Sequence, residues 1–181
     1  MRPDSSSSPT LTKYERIDWE TWQPKETGVL CFIRPSTSPE QILLIRKKRG
    51  LGAGKINGPG GRLEGCETPE EGAIRETKEE VGLVPKDLEH VGILSFQFTN
   101  DYSLRCHVFL ARSYKGDMIE TDEALPFWHS VHNLPYNSMW RDDELWLPHM
   151  LNEKKFTGRF VFDDDTMLYS DVSIVPSLPR Q

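Results

Sequence analysis

The chain has 181 residues, 36 % of them apolar and 28 % charged, with a formal net charge of −6. That length supports one domain with its own core. The acidic balance argues against a nucleic-acid polymer as partner, which needs a basic face, and no run of about 20 apolar residues is present to span a membrane. Cys31, Cys66 and Cys106 are odd in number and none lies at C-x-x-C spacing. They read as reduced thiols in a cytoplasmic protein, not as a zinc site.

The opening "MRPDSSSSPT" lacks the apolar stretch of a secretory signal and reads as a disordered, Ser-rich leader. Residues 1–26 are taken as an N-terminal extension whose second half Trp19 and Trp22 pin down, and 27–181 as the domain. "TGVLCFI" (Thr27 to Ile33) and "QILLIRK" (Gln41 to Lys47) are β-rich runs around the turn residues "RPSTSPE", which predicts a hairpin. "RGLGAGKINGPGG" (Arg49 to Gly61) carries six glycines and a proline and is predicted to be loop. A helix follows. Thr68 is its N-cap, Pro69 suits the first turn, Glu71 completes a capping box, and Gly82 ends it in the left-handed conformation. His90–Thr99 and Arg105–Ser113 read as strands around the turn "NDYS", and Pro126–Val131 as a shorter one. Asp142–Lys155 reads as a second helix opened by aspartate caps and bent or divided at Pro148. "RFVFDDDTMLYSDV" supplies a last hairpin. This order predicts an α+β fold, a mixed β-sheet sandwiched between helices.

The stretch "GRLEGCETPEEGAIRETKEEVGL" crowds carboxylates. At about 100° per residue, Ile74, Thr77 and Val81 share a mostly apolar face suited to a sheet, while Glu76, Glu79 and Glu80 are neighbours on another. Like charges at that spacing cost a few tenths of a kcal/mol, and Arg75 relieves one of them at i, i+4. Gly72, on the same face, costs roughly 1 kcal/mol against alanine and leaves room for a close approach. Hard oxygen donors without His or Cys suit Mg²⁺ or Mn²⁺, whose shell substrate phosphates complete. A solvated acidic helix fits the same residues, and the pattern alone leaves both readings open.

The spacing of Gly61, Glu67, Arg75, Glu76, Glu79, Glu80, Gly82 and Leu83 resembles the signature of the Nudix hydrolases, with Thr77 at a position usually aliphatic. "KKRGLGAGKINGPGG", "ETDE" (Glu120 to Glu123) and "MWRDDELWLP" extend the likeness to MutT-type oxidised purine nucleoside triphosphatases from about Thr27 onward. The resemblance implies the Nudix fold and Mg²⁺ held by Glu76, Glu79, Glu80 and the Gly60 carbonyl, with Glu123 as a further ligand or base. It implies that Arg75 orients the cluster and that Lys47 lies near the phosphates. Asn57, Asp142 and Asp143 would meet the purine edge, Trp140 would stack beside it, and Thr27, Phe96, Phe98 and Leu104 would line the pocket. Leu51, Leu104, Ile56 and Pro59 depart from the animal-type pattern at pocket positions.

Oxidation at C8 turns guanine N7 from acceptor into N–H donor, which a carboxylate can accept. Two adjacent aspartates sharing one proton can also donate. On spacing alone, Asp142 and Asp143 read as helix caps; the resemblance assigns them to the base. The implied substrate is a small nucleoside triphosphate such as 8-oxo-dGTP or 2-hydroxy-dATP, hydrolysed by a monomeric enzyme. The alternatives are ADP-ribose, dinucleoside polyphosphates, a broad nucleotide range, or a non-catalytic nucleotide sensor.

Overall fold

The computed structural model describes residues 17–179; the Ser-rich leader read at the start of the chain lies outside them. The strands are β1 (Glu26–Ile33), β2 (Gln41–Lys47), β3 (Ile56–Asn57), β4 (Gly60–Arg62), β5 (Val84–Phe98), β6 (Ser103–Lys115), β7 (Ala124–Ser130), β8 (Lys155–Asp163) and β9 (Thr166–Val175), with helices α1 (Pro69–Val81) and α2 (Asp143–Leu151). A six-stranded sheet runs β4-β1-β6-β5-β8-β9 and a three-stranded sheet runs β3-β2-β7. The pairs β1–β6 and β5–β8 are parallel, so the larger sheet is mixed.

Period-2 alternation sends the two faces of β1 to different cores. Leu30 and Phe32 join Trp146, Leu147 and Met150 of α2. Val29, Cys31 and Ile33 join Ala73 and Val81 of α1. Each helix therefore covers one face, as the α+β reading expects. In β2 the run Ile42–Ile45 is buried throughout because Ile42 and Leu44 enter the first core and Leu43 and Ile45 the second.

The expected β1–β2 hairpin does not form. The Arg34 and Ser36 N–H groups go on donating to the Ala111 and Arg112 carbonyls beyond β1. The chain thus follows β6 into the expected turn, and β2 pairs with β3 and β7 in the other sheet. The glycine-rich stretch is likewise not all loop: β3 pairs with β2, and β4 with β1. Helix α2 runs uninterrupted through Pro148, which removes only one N–H donor from the ladder. The hairpins β5–β6 and β8–β9 form as the sequence predicts.

Residues before β1 lie against the domain. Trp22 Nε1–H donates to Gln97 Oε1 at 3.0 Å, and Trp19 stacks on Tyr169 with centroids 6.3 Å apart.

His107 on β6 is 1 % exposed. Its Nδ1 lies 3.1 Å from His90 Nε2, which also meets the Gly92 carbonyl. Its own Nε2 has no partner among the described residues. Burial, then His90 and Arg105, hold its pKa down to about 4. The unfolded chain, with an ordinary value near 6.5, takes up the proton first. Stability is therefore intact above about pH 6.5 and falls as pH drops toward about 4, by roughly 3 kcal/mol from this residue. Thermal melts across that range are expected to show a shallower acid loss in His107→Leu than in the wild type.

Candidate functional site

Helix α1 is set by local chemistry. The Thr68 side chain accepts from the Glu71 N–H while Glu71 accepts from the Thr68 N–H, and Gly82 closes the helix at φ 76°. Its buried arc is Gly72, Ala73, Thr77, Glu80 and Val81. Ile74 is only half-buried, so the apolar face lies slightly round from the predicted one, toward Ala73. The Thr77 hydroxyl is satisfied by the Ala73 carbonyl at 2.7 Å.

The three glutamates expected on one face separate. The side chain of Glu80 is 1 % exposed, that of Glu76 12 % and that of Glu79 59 %. Glu80 turns inward: its Oε2 accepts from the Gly60 N–H at 2.9 Å, and its Oε1 lies 3.6 Å from Lys47 Nζ. Glu76 lies against Gly61, where a Cβ would come within 2.4 Å of its Oε1. A side chain at Gly61 would push the Glu76 carboxylate out of this position. Arg75 gathers the rest, donating to Glu67, Glu76, Glu79 and the Arg62 carbonyl. Gly72 does make room, but for the chain itself: a Cβ there would meet Leu63 Cδ2 at 2.4 Å.

Burial raises the Glu76 carboxyl above its usual range. It pushes Glu80 up to about 7 against the opposing pull of Lys47. The hydrogen bond from Arg75 lowers Glu67. Glu123, just before β7, pairs with Arg49, and its charge reaches Glu80. The Thr121 hydroxyl donates to the Glu80 carbonyl at 2.8 Å and accepts from the Glu123 N–H at 3.2 Å. This fastens the Glu123 loop to the helix turn that carries Glu80.

Beside this acidic corner opens a cavity of about 340 Å³. Asn57, Phe96, Phe98, Leu104, Trp140, Asp142, Asp143, Lys47 and Gly60 all line it. Thr27 does not; its neighbours Gly28, Val29 and Leu30 do. Leu30, Tyr102, Cys106 and Phe162 are lining residues that sequence reasoning missed. Alternation from Phe96 and Phe98 gives the right face, but Cys106 and Phe162 are reached only through the β5–β6 and β5–β8 registers.

The far end of the cavity is polar and deeply buried. Asp142 and Asp143 are each 2 % exposed. Neither makes the expected cap. Asp142 makes no side-chain capping bond; its Oδ2 instead accepts from Trp146 Nε1–H at 2.9 Å. Asp143 Oδ2 accepts from the Trp140 N–H at 3.0 Å. Asp142 Oδ1 is buried without a partner among the described residues. Burial raises both carboxyls, and Asp142 raises Asp143 further. Trp140 stands edge-on to Phe162 at 5.4 Å, with Lys55 Nζ 4.9 Å from its ring centroid.

The acidic corner suits a hard divalent cation. Its donors are carboxylate oxygens, and a nearby dication would offset the burial that raises Glu76 and Glu80. Among the described residues no three acidic, His or Cys side chains stand together at ligand spacing. Glu79 is held out by Arg75 and Glu123 by Arg49, so a cation entering here must displace protein cations.

A NUDIX domain profile matches residues 24–150. The chain is 44 % identical over 137 residues to the oxidized purine nucleoside triphosphate hydrolase of Danio rerio, spanning 75 % of this chain and 88 % of that protein. It is 43 % identical over 132 residues to the Mus musculus protein of the same name, spanning 72 % and 85 %. The crystal structure of a MutT protein from Bacillus halodurans matches with a TM-score of 0.72 at 25 % identity, over 81 % of this chain and 97 % of that one. With the profile, the relatives and the fold match in agreement, the chain belongs to the Nudix hydrolase family.

Proposed function

We propose that this chain hydrolyses oxidised purine nucleoside triphosphates, 8-oxo-dGTP and 2-hydroxy-dATP, to the monophosphate and pyrophosphate, and so clears them from the nucleotide pool. One observation carries the base preference. Asp142 Oδ1 is a buried acceptor without a donor in the wall of an apolar cavity, and an unsatisfied buried acceptor is costly until a ligand supplies its partner. The N7–H of 8-oxoguanine is such a donor; unmodified guanine presents a lone pair there. The names of the two animal relatives point the same way.

In this reading Trp140 stacks beside the base, and Asn57, Asp142 and Asp143 read its edge. Phe96, Phe98 and Leu104 enclose it, and Lys47 faces the phosphates. Nudix hydrolases require a divalent metal. Here Mg²⁺, with Mn²⁺ as substitute, would be held by Glu76, Glu79, Glu80, Glu123 and the Gly60 carbonyl. When bound, the metal neutralises phosphate oxygens and acidifies water. Glu79, Glu80 or Glu123 takes the proton of the attacking water, and Arg75 keeps the carboxylates in place. The substrate is a small nucleotide. The unpaired thiols fit a cytoplasmic protein, which we take to act as a monomer; among the described residues no helix is long and apolar enough to cross a membrane.

The test is kcat/KM for 8-oxo-dGTP, 2-hydroxy-dATP, dGTP and ADP-ribose with Mg²⁺. The oxidised purines are expected to exceed dGTP by about 10²-fold or more, the scale set by mismatched buried polar groups. Chelation with EDTA is expected to stop turnover. ADP-ribose as the best substrate would transfer the site to a different nucleotide class.

A further inference from the structure

Four consecutive cations, Arg46 to Arg49, run out of the end of β2; Arg46 donates to the Gly54 carbonyl, and the other three each meet a different carboxylate. Lys47 Nζ lies 3.6 Å from Glu80 Oε1. Lys48 Nζ donates at 2.6 Å to Glu120 Oε1 and at 2.6 Å to the Thr121 carbonyl, while the Lys48 N–H donates to the Glu123 carbonyl at 2.8 Å. Arg49 donates to Glu123 Oε1. Lys48 thus splices two loops together, whereas Lys47 and Arg49 occupy two acids of the candidate metal corner.

We propose that Arg49 is a positioning residue that holds Glu123 while no metal is present and passes to the substrate triphosphate when Glu123 is taken up by the metal. The proposal deepens the reading of the site given above and rests on it. Arg49 is 64 % exposed and Glu123 42 %; an ion pair this open is weak and readily exchanged. Only side chains need to move, because Thr121 anchors the Glu123 main chain to the turn bearing Glu80. The next two residues after Arg49, Gly50 and Leu51, already line the cavity, so the freed guanidinium stands at its rim. A guanidinium matches phosphate oxygens with paired N–H groups. Metal entry would strand one positive charge where a polyanion arrives, which couples the two binding events, and such coupling is reciprocal.

The experiment is direct Mn²⁺ binding to the full chain, read by the paramagnetic resonance of free Mn²⁺. It is run with and without a non-hydrolysable α,β-methylene analogue of dGTP, on wild type, Arg49→Gln and Glu80→Gln. Arg49→Gln is expected to bind Mn²⁺ alone about two- to fivefold more tightly, since Glu123 is released from an exposed pair. It is expected to bind the analogue at saturating Mn²⁺ about tenfold more weakly, since a charged hydrogen bond is lost. Opposite signs are the signature; a purely structural role would move both the same way or neither. Arg49→Gln matching the wild type in either measurement, or binding Mn²⁺ less tightly, overturns the proposal. If Glu80→Gln leaves Mn²⁺ binding intact, the acidic corner is not the metal site and the proposal falls with the reading beneath it. If Glu80→Gln abolishes binding while Arg49→Gln behaves as wild type, the role of Arg49 alone falls.

Discussion

Glu80→Gln is expected to lower kcat by about 10³–10⁴-fold while the fold survives. The loss combines a proton acceptor, typically worth about 10²–10⁴-fold, with a metal donor. The fold survives because a glutamine oxygen can still accept from the Gly60 N–H, the bond that Glu80 Oε2 now makes at 2.9 Å. Stability of the metal-free protein separates this from simple damage. The folded carboxyl is raised to about 7 from its ordinary value of 4.5, so the folded state holds its proton longer than the unfolded chain. Its contribution is complete below about pH 4.5 and is lost as pH rises through about 7. Without metal, the variant is expected to melt at a higher temperature relative to wild type above pH 7 than at pH 4.5. A variant that turns over at the wild-type rate removes Glu80 from the reaction, and one that melts early at every pH marks it as structural only.

Replacing Asp143 with Asn is expected to erode selectivity while leaving the chemistry of the anhydride alone. Asn can still accept from the Trp140 N–H, but it cannot share a proton with Asp142. kcat/KM for 8-oxo-dGTP is expected to fall about 10–100-fold, the cost of a charged hydrogen bond within a buried site, while dGTP changes far less. Asp142→Asn, which alters the unpartnered Oδ1 itself, is expected to act in the same direction. Burial raises both carboxyls in the folded chain, and the charge of Asp142 raises Asp143 further. The pair therefore stabilises the fold most below the unfolded value of 3.8 and less as pH climbs through the raised values. Asn at either position is expected to flatten that slope in thermal melts. Equal losses on every nucleotide would show that the pair only shapes the segment before α2.

The parts of the molecule written in short range were legible before any coordinates. Thr68, Pro69, Glu71 and Gly82 set the limits of α1 because caps act within one turn. The strands β5 and β6 announced themselves through long β-rich runs around a short turn. What failed was decided by distant partners. β1 and β2 look like a hairpin, yet β6 holds the chain as far as Ser36, and β2 joins a different sheet. A helical wheel grouped Glu76, Glu79 and Glu80, but a wheel does not tell which edge meets β4. The sheet takes in Glu80 and leaves Glu79 to Arg75. Asp142 and Asp143 follow the local rule for caps until Trp146 and the Trp140 N–H claim their oxygens. Gly72 suggested space for a ligand, and Leu63 fills it.

The cavity wall and the acidic corner beside it are borrowed from unrelated stretches of chain. Trp140, Asp142 and Asp143 arrive on the approach to α2, while Glu76 and Glu80 belong to α1, against the opposite face of the same sheet. If the proposed roles hold, preference and reactivity can drift independently over generations. A handful of changes around residue 142 would give descendants a new appetite, with the machinery for breaking the bond inherited intact.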